Sequence, residues 1–191
     1  MAKISVGPYA PQILRLMSSL GLFPYMELEA GVNIERFESV HIAAVRGGLR
    51  PVALWSFAFD NEAEFAEHRK IWKMSGEEDF IGKFVIKHRG KTEVKHFQDI
   101  MVDAPNQMYG KYLEAFIQLC LCRGGDEELR RGVEKWEVPK CPISGGIVVK
   151  HFGVKGPLVS KLFTKGKNEW KKSYFTLTKD EILEVLKKDV P

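Results

Sequence analysis

Cysteine is scarce in this chain: three residues, Cys120, Cys122 and Cys141, among 191. An odd and low count offers no disulfide framework and points to a reducing, cytoplasmic setting. Cys120 and Cys122 stand one residue closer than a C-x-x-C metal clip, and there is no second pair, so no metal site is expected. No apolar run approaches the roughly 18 residues of a membrane span. The opening MAKISVGPYAPQ lacks the apolar core of a secretory leader. Also missing are G-x-S-x-G, the Walker loop and H-E-x-x-H, so no ready-made hydrolase, phosphate-cradling or zinc-peptidase centre can be read. Repeats and low-complexity stretches are absent as well, which argues against a solenoid.

What is present suits a folded core. Hydrophobic residues make up 45% and aromatics 11%, enough for one domain over residues 1–191 to bury a core without cross-links. The formal charge of +4 is unevenly spread. Residues 140–191 hold eleven lysines, no arginine and five acidic residues, whereas residues 1–139 are slightly acidic. A lysine-rich C-terminal part of this kind suits an acidic protein or phosphate groups.

Apolar spacing predicts helices over 9–22, 61–73, 91–102, 106–123, 126–136, 157–165 and 179–188. The strongest is 106–123, where Met108, Tyr112, Phe116 and Cys120 recur on one face. Asp60 or Asn61 can cap the helix over 61–73, and Thr178 with Glu181 has the spacing of a capping box. Gly124-Gly125 is read as a helix C-cap leading into a second helix, not as a phosphate loop. Compact runs rich in β-branched and aromatic residues predict strands over 38–46, 51–59, 79–87, 146–152 and 170–178. The first two are expected to pair as a hairpin across Gly47-Gly48. The fold class expected is α/β (α+β): a central, mostly antiparallel mixed sheet flanked by helices, with the helix pair 106–136 as an insertion.

In that frame the segment KHRGK ends a strand and opens a helix, where helix N-terminal N–H groups face a ligand. His88 is the candidate general base, and Lys87, Arg89, Lys91 and Lys95 are candidate contacts for phosphate or an acidic partner. His41 and His151 are expected to be structural, and His68 to lie on the surface. Trp170, Tyr174 and Phe175 alternate with lysines, a pattern that also occurs in nucleic-acid-binding surfaces.

Four stretches carry a resemblance: ILRLMSSLGLF (13–23), HIAAVRGGLRPVALWSFA (41–58), SGEEDFIGKFVIKHRG (75–90) and GIVVKHFG (146–153). In order and spacing they resemble the RTX-toxin-activating lysine acyltransferases, small relatives of the Gcn5-type fold. The resemblance implies an acyl donor, either acyl carrier protein or acyl-CoA, and an acyl pocket near Phe23, Trp55 and Phe57. It also places Phe23 where the family has its catalytic histidine, and Lys83, or Gly82 with the gap shifted, where it has its aspartate. Neither can do that chemistry, since a phenyl ring takes no proton and an ammonium does not orient a histidine as a carboxylate does. The reading that follows is a catalytically degenerate, acyltransferase-like scaffold (a pseudoenzyme) whose function is protein binding. The alternatives are an active protein-lysine acyltransferase working through His88, and a nucleic-acid-binding protein using residues 140–191.

Overall fold

The computed structural model describes the whole chain except residues 1, 27, 29–31, 46, 47 and 191, and for residues 2, 3 and 43–45 it describes the backbone only. Every regular element among the described residues is a helix, which overturns the expected mixed sheet. The helices fall into two compact units, residues 1–136 and 137–191.

The first unit contains α1 (Ala2–Ser5), α2 (Ala10–Ser19), α3 (Ile34–Val45), α4 (Pro51–Ser56), α5 (Glu62–Ile71), α6 (Gly76–His88), α7 (Val94–Asp103), α8 (Tyr109–Cys122) and α9 (Glu127–Glu134). Helix α2 follows its apolar spacing, and Gly21, at φ +68°, ends the turn behind it. Asn61 caps α5 as its position suggested, its side chain accepting from the Ala63 and Glu64 N–H groups at 3.0 Å. Helix α8 is the central element, packing against α3, α4, α6, α7 and α9. The segment 106–136 is therefore not an insertion into a sheet. Its central helix carries the fully buried Ala115, Phe116, Leu119 and Cys120.

Each expected strand of this unit is helical for an identifiable reason. Segment 51–59 begins with Pro51 at the first position of α4, where its missing N–H costs nothing. Val52, Ala53, Leu54, Trp55 and Ser56 are then all buried. A helix buried on every side reads as an unbroken apolar run, as an inner strand does. In 38–46 the relevant helix begins earlier, at Ile34, and buries Phe37, Val40 and His41 at helical spacing. Arg46 and Gly47 of the expected hairpin lie outside the described residues. Gly48, at φ +83°, links α3 to α4 instead of turning a hairpin.

Segment 79–87 lies inside α6, whose start is a capping box. The Glu78 N–H donates to Ser75 Oγ at 3.2 Å, and the Glu78 carboxylate accepts from the Ser75 N–H at 2.8 Å. Ile81, Phe84, Val85 and His88 form its buried stripe. Gly82 lies beneath the Phe65 ring, where a Cβ would stand 2.1 Å from Phe65 Cζ. This close approach lets α5 and α6 pack together.

The second unit contains α10 (Gly145–Phe152), α11 (Pro157–Lys172) and α12 (Lys179–Leu186). The expected strand 146–152 is α10, capped by Ser144, which accepts from the Ile147 N–H at 3.3 Å. The expected strand 170–178 is the end of α11 and the turn after it, where Tyr174 and Phe175 take φ of +57° and +66°. Gly166 is buried in α11 against Ile143, Ile182 and Leu186. Thr178 and Glu181 form the anticipated capping box on α12.

Candidate nucleic-acid interface

The second unit buries one face of α11 and presents lysine on the others. Leu162, Gly166 and Trp170, four residues apart, face its core, where Trp170 meets Phe175 edge-on at 5.2 Å. Lys161, Lys165 and Lys172 are exposed on the same helix. Lys165 is held by the Asp189 carboxylate at 2.5 and 2.6 Å, Lys172 by Glu169 at 2.8 Å, and Lys187 by Glu184. Lys140, Lys150, Lys155, Lys161, Lys179 and Lys188 are exposed and have no ion-pair partner among the described residues. Their ammonium groups are hydrated point charges on flexible stems, a chemistry that suits phosphate oxygens arriving in no single geometry. Trp170 is a core residue of this unit, Phe175 is half-buried and Tyr174 is exposed.

The KHRGK segment takes a different form from the one expected. It ends a helix, so His88 and Arg89 stand at the carbonyl end of α6 and the N–H donors of a helix start are not there. The next helix, α7, begins only at Val94, with Glu93 as its N-cap. Arg89 turns inward and donates to the carbonyl oxygens of Phe59 at 2.6 Å and Asp60 at 2.8 Å, with Ser56 and Phe57 at 3.3 Å. Lys95 pairs with Asp99. Lys87 and Lys91 are exposed.

His88 is buried, with its Nδ1 3.0 Å from His96 Nε2 and its ring tilted on Phe84 at 4.6 Å. Burial, then the neighbouring His96, Lys87 and Lys91, push its imidazole down to about 4. Burial also lowers His96. Both rings are therefore neutral near pH 7, and one donates to the other. His41, read as structural, is buried and its Nε2 lies 2.9 Å from the Gly7 carbonyl oxygen. His68, read as a surface residue, is buried beside Phe59 and Trp72.

The residues chosen for an acyl pocket do not share one cavity. Trp55 lines a cleft of about 410 Å³ bordered by α4, α5 and α6, whereas Phe57 lines another of about 390 Å³ near Val40 and Cys122. Phe23 borders neither and is half-buried in the turn after α2. Lys83 pairs with Asp79 at 2.9 Å, one turn earlier on α6. Trp72, also in the wall of the first cleft, was not singled out in the sequence. The only signal there was its position four residues after His68.

Fold and surface together define a chain whose regular elements, among the described residues, are all helices, with a lysine-rich second unit. Three curated relatives match nearly all of it. CCA tRNA nucleotidyltransferase 1, mitochondrial, from Mus musculus is 26% identical over 198 residues, covering 98% of this chain. The protein of the same name from Homo sapiens is also 26% identical with 98% covered, and that from Danio rerio is 27% identical with 97% covered. The chain spans 44% of the length of each. No family model matches the chain. These relatives, together with the absence of a sheet among the described residues, overturn the resemblance to the toxin-activating acyltransferases. The acyltransferase readings, active or degenerate, fall with it. Among the described residues, the stretches that carried the likeness lie largely in α2, α3, α4, α6 and α10.

Proposed function

We propose that this chain is a tRNA-binding helical portion of a protein related to CCA tRNA nucleotidyltransferases, and that it grips the RNA backbone through the lysines of its second unit. The observation that carries the reading is the match of 97–98% of the chain to relatives whose name specifies tRNA as the molecule acted on. The surface supports it independently. Six exposed lysines without ion-pair partners among the described residues lie in a segment of 52 residues that has no arginine. Lysine in place of arginine favours non-bidentate backbone contact over base-edge reading. The nucleotidyl transfer in the relatives' name belongs to proteins more than twice as long. The part of that work assigned here is holding the substrate.

The test is an anisotropy titration of a labelled tRNA transcript against the full chain at several salt concentrations. Saturable binding that weakens with salt is expected, the log–log slope reporting the number of phosphates neutralised. Replacing Lys150 and Lys161 by glutamate should weaken binding by at least about tenfold at low salt and flatten that slope. A flat titration at low salt would remove the reading.

A further inference from the structure

We propose that the outward face of α2 is a self-association surface, through which two copies of this chain pair by laying their α2 helices antiparallel about a two-fold axis. Helix α2 has two apolar faces. Ala10, Pro11 and Leu14 are buried, and the helix packs on α1 and α3. Tyr9, Ile13, Leu16 and Leu20 are instead 69%, 42%, 59% and 63% exposed. At 3.6 residues per turn these four fall within about 60° of one another, on the side turned away from the buried residues. The Ile13 N–H donates to the Tyr9 carbonyl and the Leu20 N–H to the Leu16 carbonyl, both at 3.0 Å, so the helical path runs from the first to the last of them.

The spacing of this stripe identifies a helix as its partner. Steps of 4, 3 and 4 residues are those of the a and d positions of a coiled-coil seam. The same steps read identically in both directions. A two-fold axis between Ile13 and Leu16 therefore sets Tyr9 against Leu20 of the second copy, and Ile13 against Leu16, with every member matched. The positions beside the seam, Gln12, Met17 and Ser19, are uncharged, so two copies bring no like charges together there. Leu22 and Tyr25 are exposed in the turns that follow. Together the six side chains expose on the order of 700 Å², close to the ~800 Å² that one partner gives to a stable interface.

Charge separates a second copy from the other surfaces that could meet an apolar face. Arg15 is the only charged residue between Tyr9 and Tyr25, and it is paired with Glu38. A helix that lies on a lipid surface carries lysine and arginine beside its apolar side, and a helix that meets RNA needs free cations. An uncharged face with a palindromic seam is complementary to itself.

Sedimentation equilibrium of the full chain makes the test, over roughly 1–100 μM, the weak end of affinities for interfaces of this size. The mass should rise from 21.8 kDa to twice that value. Leu16→Glu should weaken association at least about thirtyfold, as for a residue at the centre of an interface. The side chain is exposed in the single chain, so the melting temperature at the lowest concentration should stay near that of the parent. Ile13→Lys should act in the same way and serves as the second variant should Leu16→Glu disturb the fold. An equimolar mixture of the two variants should pair again, because an ammonium then faces a carboxylate across the axis. Val149→Glu, at an exposed apolar residue of the second unit, should leave the mass unchanged. A mass of 21.8 kDa at every concentration leaves the face to a different polypeptide and overturns the proposal. So do association that survives Leu16→Glu and Ile13→Lys, an equal loss with Val149→Glu, and a mixture that stays monomeric. The tRNA titration reads the second unit separately, so failure of one leaves the other standing.

Discussion

The Arg89 guanidinium donates to the Phe59 carbonyl oxygen at 2.6 Å. Through the same side chain the residue after α6 closes the end of α4, whose last carbonyls have no partner within their own helix. Arg36 reaches the same segment from α3, donating to the Phe59 carbonyl at 3.2 Å and pairing with Asp60 at 2.8 Å. Arg89→Ala should therefore destabilise the protein by about 2–3 kcal/mol, the range for hydrogen bonds from a charged donor. Arg89→Lys should recover less than half, because one ammonium cannot span four carbonyls. Urea unfolding of both variants checks this, and a loss below about 0.5 kcal/mol for the alanine variant would show the clamp to be dispensable.

The His88–His96 pair makes stability depend on pH. Folded His88 titrates near 4, below the value of about 6.5 of an unfolded histidine. Between these values the unfolded chain binds the additional proton, so stability declines as pH falls from about 6.5 towards 4. Above that window this group contributes no pH dependence. The decline is at most about 1.4 kcal/mol per pH unit for one proton. His88→Phe should make the stability–pH curve shallower in this window. An unchanged slope would locate the protons elsewhere.

Thiol labelling should separate the cysteines. Burial pushes Cys120 up to about 12 and raises Cys122 in the same direction, and both lie within α8. Cys141 is only half-buried. One thiol should therefore react rapidly with Ellman's reagent in the native protein and three in denaturant. Cys141→Ser should remove the fast phase. Rapid reaction of all three thiols in the native state would contradict the burial of α8.

Two glycines mark close approaches that a side chain would block. At Gly82 a Cβ would meet Phe65, which is fully buried and has no room to yield. Gly82→Ala should cost about 1–3 kcal/mol despite alanine's higher helix propensity. At Gly166 a Cβ would stand 2.6 Å from Ile143 Cδ1 and 2.9 Å from Ile182 Cγ2. Gly166→Val should loosen the second unit, seen as a lower melting temperature and loss of protected amides in α11 and α12. Neutral outcomes at both positions would mean that the helices repack freely.

The legible parts of the chain were those governed by local rules. Asn61 and the Thr178–Glu181 pair cap the helices their spacing indicated, since a cap involves residues no more than three apart. Helix α8 declared itself because one side faces the core and the other does not. Gly124 and Gly125, at φ +82° and +99°, end it as read. The Ser75–Glu78 box was present in the sequence and was passed over because the apolar run behind it resembled a strand. The lysine excess of residues 140–191 was visible from composition alone, but which lysines are engaged by Asp189, Glu169 and Glu184 was not.

The sequence by itself determined helix caps, the central amphipathic helix, the charge asymmetry and the scarcity of cysteine. These follow from neighbours in the chain or from counting. Tertiary structure decided that Pro51–Ser56 is a helix, because a segment buried on nearly all sides carries no polar period to reveal its pitch. It also decided that Arg89 serves the Phe59 carbonyl 30 residues away, that His88 faces His96, and that Trp55 and Trp72 border one cleft. Each of these depends on which helix faces meet. Packing sets that, and residue order does not encode it locally.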